Sequence, residues 1–353
     1  MRAMIIKEFR EVFRDHRTVG MLVMLPLLLL VVFGYAANFT VTSVATAVVG
    51  PQAEQVAAQL TDQGDFFEVS VIDTGADRAA AEQMVVDNEV DVAIVTGGGT
   101  PQALVDGSSL FAAQAAVSVL NRAGDTISTT IMFNPELKTS WVMIPAIIGL
   151  ILTFIGTIVT SIGMVRERES GTLEQLAVMP IKPSSVILGK IAPYFLLASI
   201  DMLIVTVLGV LIFDVPFNGN PAEFALGAGL FLFVVLGLGI FISTISQNAG
   251  QAIQTAFFFL LPQILLSGMI FPLVAIPWGV RWISYLLPLT YFTMISQGVM
   301  IRGAGIDTLI LPFAALTVMA LVIFTGAVLR FRRDLAPAPR APLAAGADEA
   351  VPA

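Results

Sequence analysis

"VRERESGTLEQLAVMPIKPSSVILGK", residues 165–190, crowds acids and bases together in a chain that is only 12% charged. On either side lies an apolar run. Val142 to Val165 carries no charge, and Ile191 to Phe213 carries only Asp201. A helix rises about 1.5 Å per residue and the hydrocarbon layer of a bilayer is roughly 30 Å thick, so each run is long enough to cross it. The wet stretch between them is then a loop at one membrane face.

The same pattern recurs outward from this point. Gly20 to Ala37, Phe224 to Ile245, Ala252 to Val274 and Thr308 to Leu329 are also free of charge, and 56% of the 353 residues are hydrophobic, more than a soluble core can hide. The expected fold class is an α-helical integral membrane protein with six transmembrane helices and an inserted small α/β extracytoplasmic domain. Residues 286–300, "LLPLTYFTMISQGVM", are apolar but reach only about 22 Å as a helix, too short to span. With Pro272, Pro277 and Pro288 nearby, residues 275–300 read as a re-entrant or outer-interface hairpin that packs against other spans.

The start of the first span looks like a signal peptide, with an apolar Met21 to Phe33 and a small-x-small "GYA" at 34–36. The preceding "MRAMIIKEFREVFRDHRTVG" argues for retention. Ile5, Phe9, Val12 and Phe13 fall at helical spacing opposite Lys7, Arg10, Arg14 and Arg17, as in an amphipathic helix lying on the inner headgroups, residues 1–19, leading into a span at 20–37. Lys and Arg are one-sided. The N-terminal segment, Arg166 to Lys190 and Arg330 to Arg340 together hold thirteen; Arg78, Arg122, Lys138, Arg281 and Arg302 are the other five. Short cytoplasmic segments retain positive charge, so both termini are expected inside a multi-pass protein of the cell (inner or plasma) membrane. Trp141, Trp278 and Trp282 fall at outer span ends, where such rings prefer to sit.

Residues 38–140 differ in character, with 13 acids against three bases from Asn38 to Thr139. The stretches "VTSVATAVV", "FFEVSVI" and "VDVAIV" suit strands, and Pro51 to Leu60, Ala79 to Asn88 and Phe111 to Ala123 suit helices, giving an extracytoplasmic α/β domain. There is no cysteine, so no disulfide staples it. Its acidity argues against nucleic acid as a partner. Residues 141–335 hold the other five spans, and 336–353, rich in Ala and Pro, read as a disordered tail.

The segment "RERESGTLEQLAVMPIKPSSVILGKIAPY" resembles the loop of ABC-type export permeases of the second type, the membrane subunits of type-2 ABC transporters. "VDGSS" at 105–109, the N-terminal amphipathic helix, the large domain after the first span and the hairpin before the last span fit the same family, so the resemblance covers nearly the whole chain. It implies that the loop at 166–185 is a coupling loop whose helix docks on a separate ABC ATPase subunit through Glu167, Glu169, Gly171, Thr172, Leu173 and Glu174. It also implies a second permease copy or paralogue completing the pathway, and export of a drug, lipid or other hydrophobic molecule. ATP and Mg belong to the partner, because this chain has no G-x-x-x-x-G-K-[ST]. The nearest match, "SVILGKI", lacks the first glycine and the hydroxyl after lysine, and Lys190 reads as a snorkelling interfacial side chain. No cofactor is expected on this chain.

Other readings stay open on the residues alone. Asp201 lies near mid-bilayer, where an acid is costly and by default a functional suspect; with Gln254 and Gln263 it forms the intramembrane polar set. It serves either an ion-coupled carrier or a hydrogen-bonded join to Gln254, Gln263 or a serine. A membrane-anchored receptor or scaffold acting through the outer domain is a third reading. Enzymatic readings are disfavoured: His16 has no metal-ligand companions, and no catalytic triad or H-E-x-x-H is present. Phe231, Phe233, Phe257, Phe258 and Phe259 are lipid-facing or packed, or they line a path for apolar cargo.

Overall fold

The computed structural model describes residues 41–62, 64–97, 99–122, 127–170 and 183–334. The expected interfacial helix (1–19), the first span (20–37), Gly171, Thr172, Leu173, Glu174 and the tail (336–353) lie outside the described residues.

An α/β unit comes first. Its elements are β1 (Val44–Val49), α1 (Ala53–Asp62), β2 (Phe67–Asp73), α2 (Arg78–Val86), β3 (Val92–Val95), β4 (Gln102–Asp106), α3 (Leu110–Arg122) and β5 (Ser128–Met132). The strand order is β2-β1-β3-β4-β5, with β3 and β4 antiparallel and the other pairs parallel. A central parallel strand is covered on both faces and reads as a continuous apolar run, as "VATAVV" of β1 does. Val44, Val48, Ile94 and Val105 pack under α1 and α3; Ala47, Val49, Ala93 and Leu104 pack under α2. Asp77 caps α2, its Oδ1 accepting from the Ala80 amide at 3.0 Å. Three of these strands, β1, β2 and β3, are the expected ones. The other two carry weak strand signals: β4 is short and ends in a buried acid, and "STTIM" of β5 is a largely polar edge strand.

The membrane body follows. α4 (Thr139–Phe154), a π-helical turn (Ile155–Val159) and α5 (Thr160–Glu169) form one rod; then come α6 (Pro183–Phe213), α7 (Pro221–Ile245) and α8 (Ala249–Leu266). After a single 3-10 turn at Leu273–Ala275 lie two short helices, α9 (Trp278–Ser284) and α10 (Pro288–Gln297). A second π turn (Gly298–Arg302) and α11 (Ile310–Asp334) complete the body. The expected six spans are five candidate ones among the described residues: Thr139–Glu169, Ile191–Phe213, Pro221–Ile245, Ala249–Leu266 and Ile310–Leu329. α10 is about 15 Å long, half the hydrocarbon thickness, and Pro288 opens it where an amide donor is not needed.

α7 is the centre of the body, packing on α11, α5, α10, α6 and the first π turn. Its Phe231 is fully buried and stacks on Phe292 of α10, centroids 4.5 Å apart. α6 and α11 turn apolar faces outward, including Leu196, Leu203, Leu211, Leu311 and Leu321. That is the surface a helix presents to lipid or to another span, since acyl chains are as apolar as leucine.

Candidate functional site: the charged stem and the domain junction

The charged loop leaves the body through α5. Arg166 and Glu169 are exposed, Glu167 and Arg168 half-buried, and the Met164 and Val165 before them buried. Arg168 Nη2 donates to the main-chain carbonyl of Ser246, the residue that ends α7. The turn from α7 to α8 is itself fastened. Ser246 Oγ bonds back to the Ile242 carbonyl at 2.8 Å. Asn248 Oδ1 accepts from the Gln251 amide at 2.8 Å, while Gln251 Oε1 accepts from the Gln247 amide at 2.6 Å. This reciprocal capping satisfies amides that a helix N-terminus leaves orphaned. The stem is therefore bonded to a stiff corner joining two spans.

A second contact lies deeper along the same rod. A Cβ on Gly239 of α7 would come within 2.8 Å of the Gly156 carbonyl oxygen and 2.9 Å of the Thr157 carbonyl oxygen, both in the π turn. Only glycine lets the backbones meet there. π turns are rare and frequently mark functional positions. Thr153 Oγ1 bonds the Gly149 carbonyl at 2.7 Å just before this turn, and Thr157 Oγ1 bonds the Thr153 carbonyl within it.

The intramembrane polar residues are not brought together as a bonded set. Asp201 Oδ2 is buried without a hydrogen-bond partner among the described residues. Gln263 does not join it. Its Oε1 accepts from the Leu289 amide at 3.1 Å, filling the acceptor that the first turn of α10 needs. Gln254 is exposed on α8. Phe231 and Phe233 are packed, the latter against Phe324, whereas Phe257 is 42% exposed and meets Phe154 edge-on.

No local sequence pattern marks the junction between the α/β unit and the body, on which the "VDGSS" motif lies. Gly107 of that motif is tight: a Cβ would lie 2.5 Å from the Met132 carbonyl oxygen. Asp106, at the end of β4, is 1% exposed and its Oδ1 accepts from the Ser108 amide at 2.8 Å. Arg302 arrives from the second π turn. Its Nη1 donates to Ser108 Oγ at 3.3 Å and to Asn88 Oδ1 at 3.2 Å. Burial pushes the Asp106 carboxyl above the ordinary carboxylate range against the pull of Arg302, and burial lowers Arg302 against the pull of Asp106 and Asp87. Asp91 at the edge of β3 is likewise raised by burial and by Asp106, against the Ala45 amide. Among the described residues no group of His, Cys, Asp and Glu is placed to hold a metal ion.

Comparison with known proteins matches most of the chain. The sequence model of the family described as "ABC-2 family transporter protein" matches residues 16–329. "Probable multidrug ABC transporter permease YbhS" of Escherichia coli (strain K12) is 28% identical, over 92% of this chain and 94% of that protein. "Probable multidrug ABC transporter permease YbhR" of the same organism is 25% identical, over 94% and 98%. "Inner membrane transport permease YhhJ", also of strain K12, is 36% identical, over 60% and 56%.

Proposed function

This chain belongs to the ABC-2 transporter family, as a multi-pass permease of the type-2 ABC class, and from that premise we propose that it is the membrane subunit of an ATP-driven exporter. In this reading the loop at 166–185 is cytoplasmic and its coupling helix, with Glu167, Glu169, Gly171, Thr172, Leu173 and Glu174, docks on a separate ATPase subunit that binds ATP and Mg. A second permease copy or paralogue completes the pathway. Both termini face the cytoplasm and the α/β unit stands on the outer side. The cargo class is a drug, lipid or other hydrophobic molecule, in keeping with relatives named as multidrug permeases.

The observation that carries the coupling is the attachment of the stem. A push on the loop reaches α5, and α5 is bonded through Arg168 to the Ser246 corner and packed backbone to backbone at Gly239 on the central helix. ATPase closure would therefore move α7 and α8 together with α5. The test is co-purification of the full chain from its native membrane, natural sequence against Gly171→Pro, Glu174→Arg at matched expression, with ATPase activity as readout. An ATPase recovered with the natural chain and lost from the folded variant supports the reading; no ATPase with either overturns it.

Asp201 supports one second reading, an ion-coupled carrier, because its Oδ2 is buried and unpartnered among the described residues. That reading requires Asp201→Asn to abolish uptake or efflux driven by an ion gradient in vesicles free of ATP.

A further inference from the structure

The α/β unit continues into α4 through the linker Phe133–Lys138. Linkers of this kind ordinarily let a domain swing. Here the linker is pinned from the unit's side. Buried Asn134 donates from Nδ2 to the Gly107 and Lys138 carbonyls, at 3.4 and 3.1 Å, and accepts the Lys138 amide at 2.9 Å. Leu110, the first residue of α3, is buried in the same apolar cluster as Leu289, Val299 and Ile301 of the body.

Arg302 adds an attachment far from the linker in sequence. Its guanidinium meets two separate loops of the unit: the turn after α2 at Asn88, which holds a left-handed backbone with φ of 57°, and the turn after β4 at Ser108. On the body side its own backbone is fixed. Asn218, between α6 and α7, donates from its amide to the Met300 carbonyl at 2.9 Å and from Nδ2 to the Ile301 carbonyl at 2.7 Å. Ala304 closes the turn onto the Gly298 carbonyl at 3.0 Å. The guanidinium thus extends from the point where α10 and the α6–α7 loop are tied together.

The pairing across this junction is incomplete. Asp106 Oδ2 and Arg302 Nε are both buried without hydrogen-bond partners among the described residues. No direct ion pair forms between the two groups; Ser108 is bonded to both. Burying a carboxyl and the Nε of a half-buried guanidinium in this way is costly for stability alone. It does fix orientation, because the carboxylate on the unit has a counter-charge in only one posture of the unit.

We propose that Arg302 is the latch that sets the tilt of the α/β unit on the membrane body, so that the unit rides with α10 and its π turn rather than swinging on the Phe133–Lys138 linker. This goes beyond the transport reading and does not depend on an ATPase being present.

The chain has no cysteine, so paired spin labels can be introduced without removing any residue. Glu54→Cys on α1 and Gly279→Cys on α9 are both exposed, and a Cβ at Gly279 meets nothing within 4 Å. In the full chain in lipid nanodiscs, with labelled chain diluted into excess unlabelled chain so that a second copy adds no label pairs, the distance distribution from double electron–electron resonance should be single and narrow. Arg302→Gln should broaden it, while Arg302→Lys, which keeps the charge but loses the fork, should give an intermediate width. A distribution unchanged by Arg302→Gln overturns the latch and leaves the linker and Leu110 as the determinants of posture. Should Arg302→Gln fail to fold, Ser108→Ala combined with Asn88→Gly removes both side-chain acceptors of the guanidinium: broadening supports the latch, and an unchanged width overturns it.

Discussion

At one joint of this molecule α7 meets the first π turn through bare backbone, Gly239 against the Gly156 and Thr157 carbonyls. At the other, the α/β unit meets the body through Arg302, Ser108 and Asp106. The first joint lies within the spans and the second at the edge of a polar domain. Among spanning helices close approach is gained by deleting side chains, since charges there cost several kcal/mol and apolar groups gain nothing over lipid. At the domain edge a charge needs only partial cover, and it selects one orientation where an apolar contact tolerates several. The bare-backbone joint should therefore be the less forgiving of added atoms, and the charged joint the less forgiving of removed ones.

Gly239→Leu tests the first half of that statement and carries the largest expected effect. The new Cβ would face two main-chain oxygens inside 3 Å, and backbone cannot rotate away as a side chain can. A cost of about 3 kcal/mol or more is expected, seen as loss of monodisperse chain in detergent. A melting temperature equal to that of the natural chain would show that the π turn is not packed on α7 as described.

Asp106→Asn and Arg302→Gln test the second half. Arg302→Gln leaves Asp106 buried without its counter-charge and should cost about 2 kcal/mol, and Asp106→Asn leaves the half-buried Arg302 and should cost less; together they should cost less than the sum of the two by about 1 kcal/mol. Thermal unfolding of the three variants in one detergent closes the cycle. Strict additivity would mean that the two groups do not sense each other, and the contrast between the joints would lose its charged member.

Arg168→Gln sharpens the comparison where one charge does reach into the loop-side joint. The guanidinium donates to a main-chain carbonyl rather than to an acid, so its loss strands no buried charge and the fold should survive. Losing a hydrogen bond from a charged donor is worth about 1.5 kcal/mol, roughly tenfold. If the loop takes an ATPase subunit as proposed, that subunit should still co-purify, while stimulation of its activity by cargo falls about tenfold. Loss of co-purification would instead place Arg168 in the docking surface itself.

The spans were legible in the sequence because hydrocarbon thickness imposes a length that uncharged runs such as Phe224 to Ile245 satisfy by inspection. The cap at the α7–α8 corner was legible in principle as well, since Asn248 followed three residues on by Gln251 has the spacing of a capping box. The two joints were not. Gly239 meets carbonyls of a different helical rod, and Arg302 and Ser108 are 194 residues apart; no local period relates such positions. The π turn at Ile155–Val159 has no residue pattern that separates it from the α-helix on either side. Gln263 was weighed as a partner for Asp201 because both are polar in an apolar setting, but an amide oxygen goes to whichever donor is orphaned nearby, and that was the first turn of α10.

The smallest effect expected is one of pH, at Asp91 beside the charged joint, and its sign separates a buried acid from a cation-paired one. A carboxylate held by a close cation has a lowered pKa, so its contribution to stability is lost on acidification. Asp91 and Asp106 are raised instead, chiefly by burial. The folded state then binds protons more tightly than the unfolded chain between the ordinary carboxylate value and the raised one, so stability falls as pH rises through that window and recovers as pH is lowered. Asp91→Asn removes one such titration without changing shape. The melting temperature of the natural chain minus that of the variant should therefore grow more positive from neutral pH down toward the carboxylate range. A difference that shrinks on acidification would mean that the folded state stabilises the Asp91 carboxylate, and burial would not be the dominant influence on it.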